Sequence, residues 1–226
     1  MTQVLLYSLL VSLALLASSV LSFFFRLKPS QLSFLQHFAA GVIFAAVAVE
    51  LVPHLLNSPL KWDIALGFLF GLFAMLAIRK IGETKNDSTL GMTAGFGVDL
   101  WIDGILVALS FAAATSSGLV VTFALGLETV FLMCALVPSL KQKGASVVSI
   151  FTACLIYALV IPFGAWLGFA VIEQLPGSYF LGILAFGVSA LLFLVTEELL
   201  VEAHETIDTS LSTSAFFLGF LLILLL

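Results

Sequence analysis

The stretch Leu221-Leu222-Ile223-Leu224-Leu225-Leu226 offers no polar face at any helical rotation. A helix that is apolar all round belongs in a protein core or in lipid. The remainder of the chain decides between these. Of 226 residues, 62% are hydrophobic, only 9% are charged and 22 are Phe, with a mean hydropathy of +1.25. A water-soluble globule needs far more charged surface than this, so the composition predicts an integral membrane protein with the lipid bilayer as its solvent. The net charge of -5, with no basic block, excludes nucleic acid as a partner. Cys134 and Cys154 both lie inside apolar runs, where a thiol is simply a small hydrophobe.

A spanning helix needs about 20 mostly apolar residues. Eight such runs are legible, over residues 3–25, 31–56, 61–79, 92–115, 118–139, 145–171, 178–202 and 209–226, forming a single transmembrane domain over 1–226. The first run lacks a basic start and a small-residue cleavage motif, and it is longer than a signal-peptide core, so it is expected to remain as a helix. Breakers fall at Lys28-Pro29-Ser30, Asn57-Ser58-Pro59, Asn86-Asp87-Ser88, Ser116-Ser117-Gly118, Lys141-Gln142-Lys143-Gly144 and Pro176-Gly177-Ser178. Arg26, Lys28, Arg79, Lys80, Lys85, Lys141 and Lys143, seven of the eight basic residues, follow odd-numbered runs; Lys61 is the exception. The positive-inside rule then places both termini outside, in a plasma or bacterial inner membrane.

Acidic residues at lipid depth cost about 2.5 to 3.5 kcal/mol each on insertion scales, so their positions carry information. Asp99 and Asp103 in the fourth run are four apart and share one helical face. Glu128 lies near the middle of the fifth run, at a depth matching Asp103. Neither run contains Lys or Arg at that depth, so the three carboxylates need a shared cation or proton. An oxygen-only set suits a hard or borderline divalent cation. The alternative is that these acids are protonated and hydrogen-bonded between helices.

A second cluster closes the seventh run: Glu197, Glu198, Glu202, His204 and Glu205. The drawn topology puts it at the cytoplasmic face with His37, where these groups would receive a departing metal; simple solvation of a helix end is the alternative for Glu202, His204 and Glu205. Glu50 and His54, four apart around Pro53 at the outer end of the second run, would attract an incoming cation or form a solvated interfacial pair. His37 and His54 are about 25 Å apart along one helix, which rules out a three-histidine hydrolase site. The chain has no His-Glu-x-x-His, and Gly95-Phe96-Gly97-Val98-Asp99 has one residue too many for an aspartyl protease Gly-x-Gly-Asp. A nucleophile elbow and a phosphate loop are also missing, so the chain is not expected to be an enzyme.

An internal echo is visible. Gly41-Val42 precedes Glu50 and His54 in the second run, and Gly187-Val188 precedes Glu198 and Glu202 in the seventh, which runs the opposite way. Inverted repeats of this kind are common in secondary transporters.

Phe38-Ala39-Ala40-Gly41-Val42 leading to Leu51-Val52-Pro53, Asp99-Leu100-Trp101-Ile102-Asp103-Gly104, and Glu197-Glu198-Leu199-Leu200-Val201-Glu202-Ala203-His204 together resemble the ZIP (Zrt/Irt-like) family of divalent metal transporters. The resemblance covers nearly all eight runs and implies an all-α bundle with both termini outside and a metal site between the fourth and fifth helices. It also implies that helices 1, 4, 5 and 6 move against 2, 3, 7 and 8, often in a homodimer. This sequence departs from the family pattern His-Asn-x-x-Asp-Gly, with Asp99 at the His position and Leu100 at the Asn. In the fifth run only Glu128 of Glu128-Thr129-Val130-Phe131-Leu132 keeps a ligand type, and Ile161-Pro162 keeps the proline of the family's Glu-Pro but not its acid. A binuclear site is therefore not expected. What remains is a carboxylate site of Asp99, Asp103 and Glu128 for zinc, iron or manganese as transported substrate, with no cofactor. Two alternatives stay open: a ZIP-like membrane protein that acts through protein partners without transport, and a proton-coupled carrier of a non-metal solute.

Overall fold

The computed structural model describes residues 1–25, 27–56, 61–85, 89–206 and 209–226. Among these the chain is all-α, without strands. Its helices are α1 (Thr2–Phe24), α2 (Pro29–Leu56), α3 (Lys61–Lys85), α4 (Thr89–Ala113), α5 (Thr115–Gln142), α6 (Val147–Gln174), α7 (Gly177–Phe193, continued by Leu194–Leu199 and Leu200–Ala203) and α8 (Ser210–Leu224). Seven of them, α1 to α7, are long and apolar enough to cross a membrane. The eighth run forms a helix of 15 residues, about 22 Å long against a hydrocarbon core of about 30 Å. It is shortened at its start, where Thr209 Oγ1 accepts from the Ser212 N–H at 3.1 Å and Ser212 Oγ accepts from the Thr209 N–H. That capping box begins the helix one residue later than the apolar pattern suggests. The architecture is that of a multi-pass membrane protein.

Several expected breaks move. Ser116-Ser117-Gly118 lies inside α5, and the chain turns at Ala114, in extended conformation (φ -163, ψ 155). The reason is steric: the Phe111 ring occupies the space that a Gly118 side chain would take, so a sharp α4–α5 corner forms without a longer loop. Lys141 and Gln142 stay helical, and α5 is ended by Gly144 with φ of 79. Asn57-Ser58-Pro59, Asn86-Asp87-Ser88 and Arg26 lie outside the described residues. Runs two and seven, expected as plain helices, each contain a π-helical turn, Val47–Leu51 in α2 and Leu194–Leu199 in α7. Such turns insert one residue into the helical repeat and recur at functional positions.

The helices pack as two groups. One is α1, α4, α5 and α6; the other is α2, α3, α7 and α8; α2 against α5 makes the main contact between them. Within groups the backbones approach closely at glycines, as small residues permit in lipid. A Cβ on Gly41 would collide with the Phe216 carbonyl of α8, and one on Gly67 with the Gly182 carbonyl of α7. In α1, buried Ser8, Ser12, Ser18 and Ser19 form the packing face, each hydroxyl donating to a carbonyl of its own helix at 2.7 to 3.1 Å. These serines are satisfied locally and carry no ligand signal.

Candidate metal centre

Gly104 sets the position of the site. Its backbone lies directly against the Ile161 carbonyl of α6, and Gly164 of α6 lies equally close to the Trp101 carbonyl, so α4 and α6 are locked together. Asp103 is turned about 100° around the helix from Gly104, and it meets Glu128 of α5. Asp99, one turn earlier, completes the group: one ligand oxygen from each of Asp99, Asp103 and Glu128 lies within 4.8 Å of the other two. Asp103 and Glu128 are each 2% exposed, while Asp99 is half-buried.

Among the described residues, four buried side-chain atoms make no hydrogen bond: Trp101 Nε1, Asp103 Oδ2, Thr122 Oγ1 and Glu128 Oε2. Two of the four are carboxylate oxygens of this cluster. A buried carboxylate without donors is expensive unless a cation or proton joins it. The cluster opens onto a cavity of about 240 Å³ whose lining includes Phe96, Asp99, Glu128, Glu197, Glu198 and Glu202. Asp99, Asp103, Glu128, Glu198 and Glu202 act on one another electrostatically, so five acids from three helices share one field.

Two of the other acids on this cavity, Glu197 and Glu202, have protein partners. Arg79 of α3 forms an ion pair with Glu197 and also acts on Glu198. Gln36 Nε2 of α2 donates to Glu202 Oε2 at 2.5 Å. Sequence reasoning used Arg79 only for topology and did not single out Gln36; both are contacts across helices far apart in the chain, with no local signal. His37 is buried, its Nδ1 2.9 Å from the Ser33 carbonyl, and its ring stacks edge-on to His204 with centroids 5.0 Å apart. His204 Nδ1 bonds the Leu200 carbonyl of its own helix. The two histidines thus meet each other between α2 and α7, while Glu197, Glu198 and Glu202 line the cavity. Glu202 and Glu205 also border a second cavity, of about 380 Å³, at the same end of the molecule.

Glu50 and His54 differ in exposure. Glu50 sits in the π turn of α2, half-buried, and accepts from Ser117 Oγ of α5 at 2.9 Å; His54 is exposed. No protein-family model matches this sequence, and no curated protein matches it.

Proposed function

We propose that the chain is a ZIP-like secondary transporter that carries a divalent metal, zinc, iron or manganese, into the cytoplasm through Asp99, Asp103 and Glu128. The observation that carries the reading is the convergence of three carboxylates within 4.8 Å with two of their buried oxygens unpartnered. Among the three metals, an oxygen-only donor set suits manganese best. Glu198 and Glu202 extend the negative field from the cluster toward the cavity mouth. Glu50 and His54 serve the outer side, with His37 and His204 flanking the inner exit.

An inverted repeat is supported by packing. If α1 exchanges with α6, α2 with α7, α3 with α8 and α4 with α5, the pair α2–α8 falls on α7–α3 and the pair α4–α6 falls on α5–α1, all of which are principal contacts. The same exchange brings the π turn of α2, with Glu50, onto that of α7, with Glu197 and Glu198. It also pairs α4, which carries Asp103, with α5, which carries Glu128. Repeats of opposite orientation around a midplane site suit alternating access. The topology includes α8 as a spanning helix, both termini outside, and a homodimer in a plasma or bacterial inner membrane.

The test is uptake into proteoliposomes, comparing zinc, manganese, iron and cadmium in the wild type with Asp103→Ala and Glu128→Ala. Loss in both variants is expected; wild-type uptake in both would sink the site. A second reading, a proton-coupled carrier of another solute, draws on the same unpartnered oxygens, because a shared proton also relieves them. Solute uptake that follows pH and ignores chelators would select it.

A further inference from the structure

Glu50 and Ser117 lie where the two helix groups meet. Ser117, 1% exposed in the first turn of α5, donates to Glu50 Oε2 at 2.9 Å and lies 3.3 Å from the Glu50 carbonyl. This bond therefore ties the α1, α4, α5, α6 group to the α2, α3, α7, α8 group. At the other end of the same helices, four side-chain hydrogen bonds among the described residues run within the groups. Gln36 donates to Glu202, and Ser33 to the Ala203 carbonyl, between α2 and α7. Lys141 donates to the Phe23 carbonyl, and Ser22 to Cys134 Sγ, between α1 and α5. Between the groups at that end lies the cavity of about 380 Å³, with Gln36 and Glu202 on one wall and Phe96 and Cys134 on the other. Phe96 and Glu202 also border the cavity that reaches Asp99 and Glu128.

The groups are thus bonded to each other at the Glu50 end, and a cavity opens between them at the Glu202 end. We infer that the Ser117–Glu50 hydrogen bond is a latch that holds the groups closed at the Glu50 end, and that its rupture accompanies opening there and closing of the Glu202 end. The latch also occupies the carboxylate that would meet an arriving cation, so Glu50 is released for that role only when its end opens. The inference rests on the transporter reading for its purpose, but the conformational claim itself requires no metal.

The chain contains its own reporter. Cys134 is partly exposed on the open cavity, and Cys154 is fully buried. In the purified full-length protein in detergent, maleimide labelling of each cysteine is followed by peptide mass spectrometry in wild type, Ser117→Ala, Ser117→Thr and Glu50→Ala. A hydrogen bond to a charged group shifts a two-state equilibrium by roughly 10- to 100-fold, enough at the upper end to turn a state favoured about tenfold into a minor one, so labelling of Cys134 is expected to fall several-fold in Ser117→Ala and Glu50→Ala. Ser117→Thr, which keeps the hydroxyl, is expected to label at the wild-type rate, and Cys154 to stay unlabelled throughout, which marks an intact fold. Labelling of Cys134 that is unchanged or faster in both latch variants, with Cys154 still protected, would overturn the latch. Wild-type metal uptake combined with flat Cys134 labelling would remove the latch alone. Absent uptake combined with the expected labelling pattern would remove the metal reading and leave the latch standing.

Discussion

Two acidic clusters stand side by side in this molecule and differ in their partners. Glu197 and Glu202, on the last turns of α7, are held by Arg79 and Gln36. Asp103 and Glu128, close to the same cavity, keep oxygens that nothing among the described residues satisfies. Both clusters look alike as strings of carboxylates. The difference is that Glu197 and Glu202 have protein partners, whereas the Asp103 and Glu128 oxygens are left in the state that a cation or a proton would relieve.

The largest expected effect that would break this comparison is on metal. Asp103→Ala and Glu128→Ala should each lower metal uptake by about 100-fold or more, the upper end of what even an outer-shell substitution costs a metal site; scintillation counting of loaded proteoliposomes checks this. Arg79→Ala should leave most uptake intact. Equal losses in all three would erase the distinction between the clusters.

The next effect is on stability without metal. Gly104→Ala drives a Cβ into the Ile161 carbonyl, and overpacking of this kind costs about 1 to 3 kcal/mol; the midpoint of thermal unfolding in detergent should fall. The isosteric Asp103→Asn and Glu128→Gln should raise that midpoint in chelator, by the equivalent of about 1 to 3 kcal/mol, because they remove uncompensated acid from a buried place. Added metal should stabilise the wild type and leave these two variants unchanged. Glu202→Gln should move the midpoint little, since its side-chain carbonyl can still accept from Gln36.

The smallest thermodynamic effect belongs to Arg79→Ala. Both partners of the Arg79–Glu197 pair are well exposed, 39% and 42%, and such pairs contribute at most about 1 kcal/mol. A larger drop in thermal stability would mean that Arg79 also supports the buried acids. Acidification supplies a further check on the carboxylate site: ligands must be deprotonated to hold a metal, so apparent affinity should fall as pH is lowered, with the unpartnered acids of α4 and α5 as the competing sites. Uptake that rises on acidification would favour proton coupling instead.

Much of the helical framework was legible because helix length and hydrophobicity are local properties. The run at 145–171 corresponds to Val147–Gln174, begun by Ser146 Oγ accepting from the Ser149 N–H, a cap readable from a few residues. The corner at Ala114 was not legible, because it depends on Phe111 filling the space above Gly118. The π turns in α2 and α7 were hidden as well: they add one residue to a helical repeat without changing its composition. Asp99 and Asp103 could be placed on one face from spacing alone. Their meeting with Glu128 was an expectation from depth, and the partners of Glu197 and Glu202 had no signal in the chain at all.

The sequence by itself determined the solvent of this protein, its all-α class and the few acids that its apolar helices carry, since these follow from residue-by-residue transfer energies and from the length of apolar runs. Only the tertiary structure decided which acids would be satisfied. That choice depends on close glycine contacts such as Gly104 on Ile161 and Gly67 on Gly182, which set where distant helices cross, and on whether a donor such as Arg79 or Gln36 then stands within a hydrogen bond's length of a given carboxylate.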